Sequence, residues 1–196
     1  MVKKEILIIG LHTNEKFIAK ERVQKLIKNH KNIYHIAICF NKHHYLYKNN
    51  ILIKHIKTKN IIKAYAHIVK LLAKMQTNFS LITFWGHGWG AIFGTIREKS
   101  PILSAYDFAK PLIHNKISSL FLWLEGCNLG NIITLLDCYQ ISKYIVGVPN
   151  RHGGNTLLSH LDFFINYTKK YDMIFFKKIH KLINPSDCYV IYKTIN

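Results

Sequence analysis

Ser119-Leu120-Phe121-Leu122-Trp123-Leu124-Glu125-Gly126-Cys127-Asn128-Leu129-Gly130 is a short apolar run that stops on Glu125-Gly126-Cys127. A second stretch upstream is built the same way: Leu81-Ile82-Thr83-Phe84-Trp85, then Gly86-His87-Gly88. Continuous apolar runs this short, bounded by glycine, read as strands buried on both faces. Each delivers one reactive side chain where the run ends, an imidazole in one case and a thiol in the other. The two are forty residues apart in sequence, room for one strand–helix–strand crossover. In open α/β sheets, ligands bind outside the carboxyl ends of the strands. His87 and Cys127 both fall there.

Outward from this pair the chain alternates strands and helices. Ile6 to Ile9 is a β-branched run that reads as the first strand, and Gly10 to Asn14 turns the chain. Thr13 or Asn14 caps a helix expected to run to about Asn29. Ile33 to Phe40 is a second strand. Asn41 to Lys57 is polar and tyrosine-rich, with Ile51-Leu52-Ile53 suggesting a short strand or hairpin. Ile61, Tyr65, Ile68, Val69 and Leu72 follow helical spacing, so a helix is expected over 60–76. Ala91 to Gly94 reads as a small added strand. Ser104 with Asp107 three residues on reads as a helix start, and Pro111 is expected to end or kink that helix. A short helix follows Cys127, over about 131–140. Tyr144 to Val148 is a fifth strand, helices are expected over 155–167 and 172–183, and Tyr189 to Tyr192 is a last strand. This order implies a three-layer α/β/α sandwich around a mostly parallel central sheet. The expectation is one domain over residues 1–196.

The 196 residues carry a net charge of +18, nearly all of it from lysine spread along the chain. Such a balance suits an anionic partner, yet no basic block stands out. Lys, Asn and Ile share AT-rich codons, so the charge is equally a matter of coding composition. No run approaches the ~20 apolar residues of a membrane span, and no signal-peptide pattern is complete at the N-terminus. Cys39, Cys127, Cys138 and Cys188 form no CxxC pair. This implies a reducing compartment, hence a cytoplasmic location. No GxGxxG follows the first strand and there is no P-loop, so no cofactor is expected. Cys39, His43 and His44 follow the second strand but lack a fourth ligand at a recognisable spacing, so no metal is expected.

Cysteine attack on a carbonyl needs a thiolate, a proton donor for the leaving amine and backbone donors for the oxyanion. Cys127, at a strand-to-helix turn, suits the first role and His87 the second. Gly88 and Gly126 let the backbone come close to a substrate. The alternatives are a cysteine that only packs and a histidine that only holds structure.

Trp85-Gly86-His87-Gly88-Trp89-Gly90 after an apolar run resembles the histidine motif of the clostripain family, in the caspase, gingipain and legumain group of cysteine peptidases. Glu125-Gly126-Cys127-Asn128-Leu129-Gly130 resembles the family's Asp-Ala-Cys-Leu-Met-Gly motif. Leu103-Ser104 with the helix after it, and Lys143 to Val148, resemble two further family segments. The resemblance covers 79–149. It implies a caspase-like fold and a cysteine endopeptidase that cleaves after Arg or Lys. In it, His87 is the general acid/base, Cys127 the nucleophile, and the amides of Gly88 and Cys127 the oxyanion donors. Glu125 would line the pocket for the basic residue before the scissile bond. His12, at the end of the first strand, is a candidate for lining the same cleft.

The chain departs from the family in places. It is short, Glu125 is one methylene longer than the usual Asp, and Pro149-Asn150-Arg151-His152 stands where a second acid is expected. Self-cleavage, known in the family, would suit the loop at Arg97-Glu98-Lys99. Two other readings stand beside the peptidase. One is an inactive caspase-like domain acting as a protein-binding module, with an acidic protein as partner. The other is a basic nucleic-acid-binding domain, supported by the net charge alone.

Overall fold

The structure is a computed structural model. It describes residues 5–11, 33–40, 42–49, 51–94, 102–147 and 190–194. Eleven strands and three helices lie within them. The strands are β1 (Glu5–Leu11), β2 (Ile33–Phe40), β3 (His43–Lys48), β4 (Ile51–Lys57), β5 (Phe79–Gly86), β6 (Gly88–Trp89), β7 (Ile92–Phe93), β8 (Leu103–Ser104), β9 (Ser119–Glu125), β10 (Ser142–Gly147) and β11 (Val190–Lys193). The helices are α1 (Ile61–Lys74), α2 (Ala105–His114) and α3 (Ile132–Cys138). Helices expected near 14–29, 155–167 and 172–183 lie outside the described residues.

Eight strands form one sheet in the order β11-β10-β9-β5-β1-β2-β3-β4. β2, β1, β5, β9 and β10 run parallel, while β3, β4 and β11 pair antiparallel at the two ends. The chain moves outward from β1 to β4, then returns through α1 to β5 on the other side of β1. That reversal is a topological switch point, where α/β sheets open a crevice at their carboxyl ends.

The parallel strands are apolar on both faces, as their sequence requires. Leu7, Ile9, Leu11, Ile82, Phe84, Leu122 and Leu124 join α1 and α2 in one buried cluster. Ile6, Ile8, Thr83, Trp85 and Trp123 are buried on the opposite face. In α1 the buried positions Ala64, Tyr65, Ile68, Val69 and Leu72 form the helical stripe read from the sequence, and the Asn60 side chain caps the first turn.

Two local expectations are narrowed. Of the short strand or hairpin expected over 41–57, the structure shows the hairpin, formed by β3 and β4. Its period-2 pattern was hidden because His44 and Leu46 point inward while His43, Tyr45 and Tyr47, also large rings, alternate with them. Helix α2 continues through Pro111 to His114. Proline removes one intrahelical bond, and burial of Pro111 with Phe108, Ala109 and Leu112 offsets that loss. The Ser104 start is as expected: its hydroxyl accepts from the Asp107 amide at 3.0 Å and donates to the Asp107 carboxylate at 2.7 Å.

Candidate active site

β5 and β9 are neighbouring parallel strands that end in register, with Trp85 opposite Glu125. His87 and Cys127 each follow two residues later, so both stand on one rim of the sheet. His87 is exposed and Cys127 half-buried. Glu125 is 3% exposed and shares with Trp85 the sheet face opposite α1 and α2.

The two turns interlock through glycines. A Cβ built on Gly88 would lie 2.6 Å from the Cys127 carbonyl oxygen and 2.6 Å from Leu129 Cγ. Only a residue without a side chain allows that approach. On the far side, a Cβ on Gly147 of β10 would meet Gly130 Cα at 2.7 Å. The Cys127 turn is therefore clasped between the His87 turn and β10.

Hydrogen bonds hold the clasp. Asn128 takes a left-handed φ of 59°, a conformation asparagine tolerates better than most residues. Asn131 caps α3, accepting from the Ile133 and Thr134 amides at 3.0 and 3.1 Å. Its side-chain amide donates to the Asn128 carbonyl at 2.6 Å. Thr134 donates to the Gly90 carbonyl at 3.3 Å, tying α3 to the histidine turn. On the histidine side, the Gly94 amide donates to the His87 carbonyl at 2.8 Å. Phe93, next to Gly94, packs edge-on against Phe84 and stacks on Phe108, with centroids at 4.5 and 4.4 Å. The small β6-β7-β8 sheet is thus anchored to the core beneath it. Asn131 was legible from sequence as an Asn before a helical run. Its second bond, to the cysteine turn, was not.

β1 ends at Leu11, one residue before His12, and β1 pairs directly with β5. His12 itself lies outside the described residues, as do Arg97-Glu98-Lys99, Arg151 and Cys188. Cys39 and His44 face each other across β2 and β3 and are both buried, while His43 points to the opposite face. His44 Nε2 bonds the Thr58 carbonyl at 2.9 Å. Among the described residues no three His, Cys, Asp or Glu side chains are grouped as metal ligands.

The fold has solved counterparts. A secreted C11 cysteine protease from Bacteroides thetaiotaomicron, in complex with an irreversible peptide inhibitor, matches with a TM-score of 0.69 and 11% identity, over 98% of this chain and 67% of that one. A second structure of a secreted C11 cysteine protease from the same organism, called iotapain, matches at 0.68 and 11% identity, over 99% of this chain and 67% of that one. An inactive zymogen C11 protease from Parabacteroides distasonis matches at 0.52 and 15% identity, over 78% of this chain and 50% of that one. No protein-family model and no curated protein sequence matches the chain. The architecture is thus the caspase-like α/β fold of the C11, or clostripain-like, cysteine proteases.

The expected cytoplasmic location is corrected by the same comparison, since the Bacteroides neighbours are secreted proteins. That expectation rested on unpaired cysteines. Cys39 and Cys138 are buried in the core, and burial pushes the Cys39 thiol up to about 12 and the Cys138 thiol higher still. Such thiols act as small apolar groups and carry no information about the redox compartment. Among the described residues no helix is long and apolar enough to cross a membrane.

Proposed function

We propose that residues 1–196 form one peptidase domain, a cysteine endopeptidase with Cys127 as nucleophile and His87 as general acid/base. The observation that carries this reading is the registered ending of β5 and β9, with Gly88 packed against the Cys127 carbonyl. The Cys127 thiolate attacks the scissile carbonyl carbon, and the carbonyl oxygen takes the negative charge. The amides of Gly88 and Cys127 donate to that oxygen. His87 protonates the leaving amine as the C–N bond breaks, leaving a thioester on Cys127. Water activated by His87 hydrolyses the thioester and frees the enzyme.

Glu125 is the carboxylate at the pocket floor in this reading. It is buried at the rim beside Trp85, where a charge-assisted bond to an Arg or Lys side chain gains strength from exclusion of water. His12 is proposed to line the cleft from the β1 side. The peptide inhibitor bound to the Bacteroides neighbour supports a peptide as substrate class here. The inactive zymogen among the neighbours supports a second reading, a domain that is latent or serves only to bind a partner.

The test is labelling with an arginyl or lysyl peptide chloromethyl ketone, read by intact mass and peptide mapping. Cys127 is the expected site, and labelling disappears in His87→Ala. Glu125→Gln is expected to slow labelling by the basic probes about 10- to 100-fold, the equivalent of ~1.5–3 kcal/mol for a hydrogen bond to a charged group. Labelling of Cys127 only by non-basic peptides would discard the role of Glu125 and keep the dyad. No labelling by any peptide, in protein that folds, would favour the binding-only reading.

A further inference from the structure

The far wing of the sheet has chemistry that the candidate active site does not use. β4 is the last strand in the sheet order and has no strand beyond it among the described residues. It is exposed along nearly its whole length, with Ile51, Leu52 and Ile53 at 69%, 49% and 40% exposure. From Arg22 to Arg97 the sequence contains no Asp or Glu. The hairpin and its exit carry Lys42, Lys48, Lys54, Lys57 and Lys59, and exposed Lys63, Lys70 and Lys74 follow on α1.

The hairpin is braced against its own flexibility. Tyr45 and His55 are cross-strand partners whose rings stack at 4.6 Å and 5°. His43 Nδ1 lies 2.9 Å from His55 Nε2, and Tyr47 stacks on Tyr45 at 6.1 Å. Cross-strand ring pairs of this kind hold two strands in fixed register. The edge is therefore preformed over Lys54 to Lys57, with backbone donors and acceptors directed outward as edge strands present, and the register against β3 shifts between Leu46 and Tyr47, where Ile53 is an extra residue in β4.

We propose that the β4 edge is a docking surface that takes an extended acidic peptide segment of a partner protein as an added strand. Backbone pairing supplies the geometry. Ile51, Leu52 and Ile53 offer apolar contact, and Lys54 and Lys57 select acidic side chains. Charge decides against a second copy of this chain: edge-to-edge pairing would set the lysines of two β4 strands against each other, and like charges facing across strands are destabilising. Single-stranded nucleic acid fits less well. It binds by stacking bases on open aromatic faces, and here the rings of His43, Tyr45, Tyr47 and His55 are turned against one another.

The experiment uses the full chain carrying Cys127→Ala, so that the probe is not cleaved. The probe is a fluorescein-labelled nine-residue peptide in which pairs of Glu alternate with pairs of Val, so that both strand faces carry acids to meet Lys54 and Lys57, titrated at low salt. Saturable binding is expected, with Kd raised at least tenfold by Lys54→Glu/Lys57→Glu. A probe N-methylated at alternate residues keeps its charge and loses strand pairing, and it is expected to bind at least tenfold more weakly. Hydrogen exchange of the full chain with the unmodified probe is expected to slow at Ile51 to Lys57. Equal binding of the N-methylated probe, or equal binding by the charge-reversed variant, overturns the proposal. So does protection elsewhere, the absence of binding, tighter binding of an oligothymidylate of equal charge, or a dimer of the free chain that the charge reversal affects.

Discussion

Gly88 shows how little room the site leaves. Its missing Cβ would sit 2.6 Å from both the Cys127 carbonyl oxygen and Leu129 Cγ, and Leu129 is fully buried. Neither neighbour can withdraw freely, since one is backbone and the other is a core side chain. Gly88→Ala is expected to destabilise the protein by ~1–3 kcal/mol, the usual cost of overpacking, and to displace the Cys127 turn. Gly90→Ala is the matched control, because nothing lies within 4 Å of its added Cβ and only its φ of 58° opposes the change. Its cost should stay near the ~1–2 kcal/mol of a left-handed residue, with the alkylation rate of Cys127 preserved. Denaturant midpoints together with alkylation rates separate the two. Equal effects of both substitutions on alkylation would show that the approach of Gly88 to Cys127 is unimportant.

Among the elements, α3 carries the most consequence for its size. Its seven residues are too few to be stable alone. The Asn131 cap and the Thr134–Gly90 bond fasten it between the two turns. Asn131→Ala removes the cap and the bond to Asn128 together. The expected loss is about 1–2 kcal/mol, the upper part of the range for N-cap removal. Asn131→Asp keeps the cap acceptor and removes the donor to Asn128, so it should restore most of the stability and little of the cysteine-turn order. Chemical denaturation gives the first quantity and hydrogen exchange at 127–130 the second. If Asp restored both equally, the Asn128 bond would have no role of its own.

At the scale of the whole molecule, two buried histidines make stability depend on pH. Burial holds His35 below the ordinary imidazole value, against the raising effect of Glu5, whose carboxylate lies 3.2 Å away. Burial also lowers His44, against the raising effect of its bond to the Thr58 carbonyl. Unfolding releases both to bind protons at about 6.5. The unfolded chain then holds more protons than the folded one, so stability is full above that value and falls as pH drops through it. Tm measured from pH 7.5 down to pH 5 should decline, and His35→Gln/His44→Gln should flatten the decline. An unchanged slope in the double variant would assign the effect to other groups. Both histidines sit in β2 and β3, so acid should loosen the basic wing before the rim that carries His87 and Cys127.

Much of this was legible in one dimension. Short apolar runs declared the parallel strands, the spacing from Ile61 to Leu72 declared α1, and Ser104 with Asp107 declared the start of α2. These signals are local, and local periodicity is what a linear pattern records. The rim placement of His87 and Cys127 followed from where their strands stop. The β3–β4 hairpin was only half read, because rings on both of its faces blurred the alternation. The passage of α2 through Pro111 depends on core packing that propensity does not contain. Strand order, the pairing of Trp85 with Glu125, and the clasp of Gly88, Cys127 and Gly147 join residues far apart in the chain. Such contacts form only when the sheet closes, so residue type and spacing chose the candidates, and tertiary packing set which of them stand together.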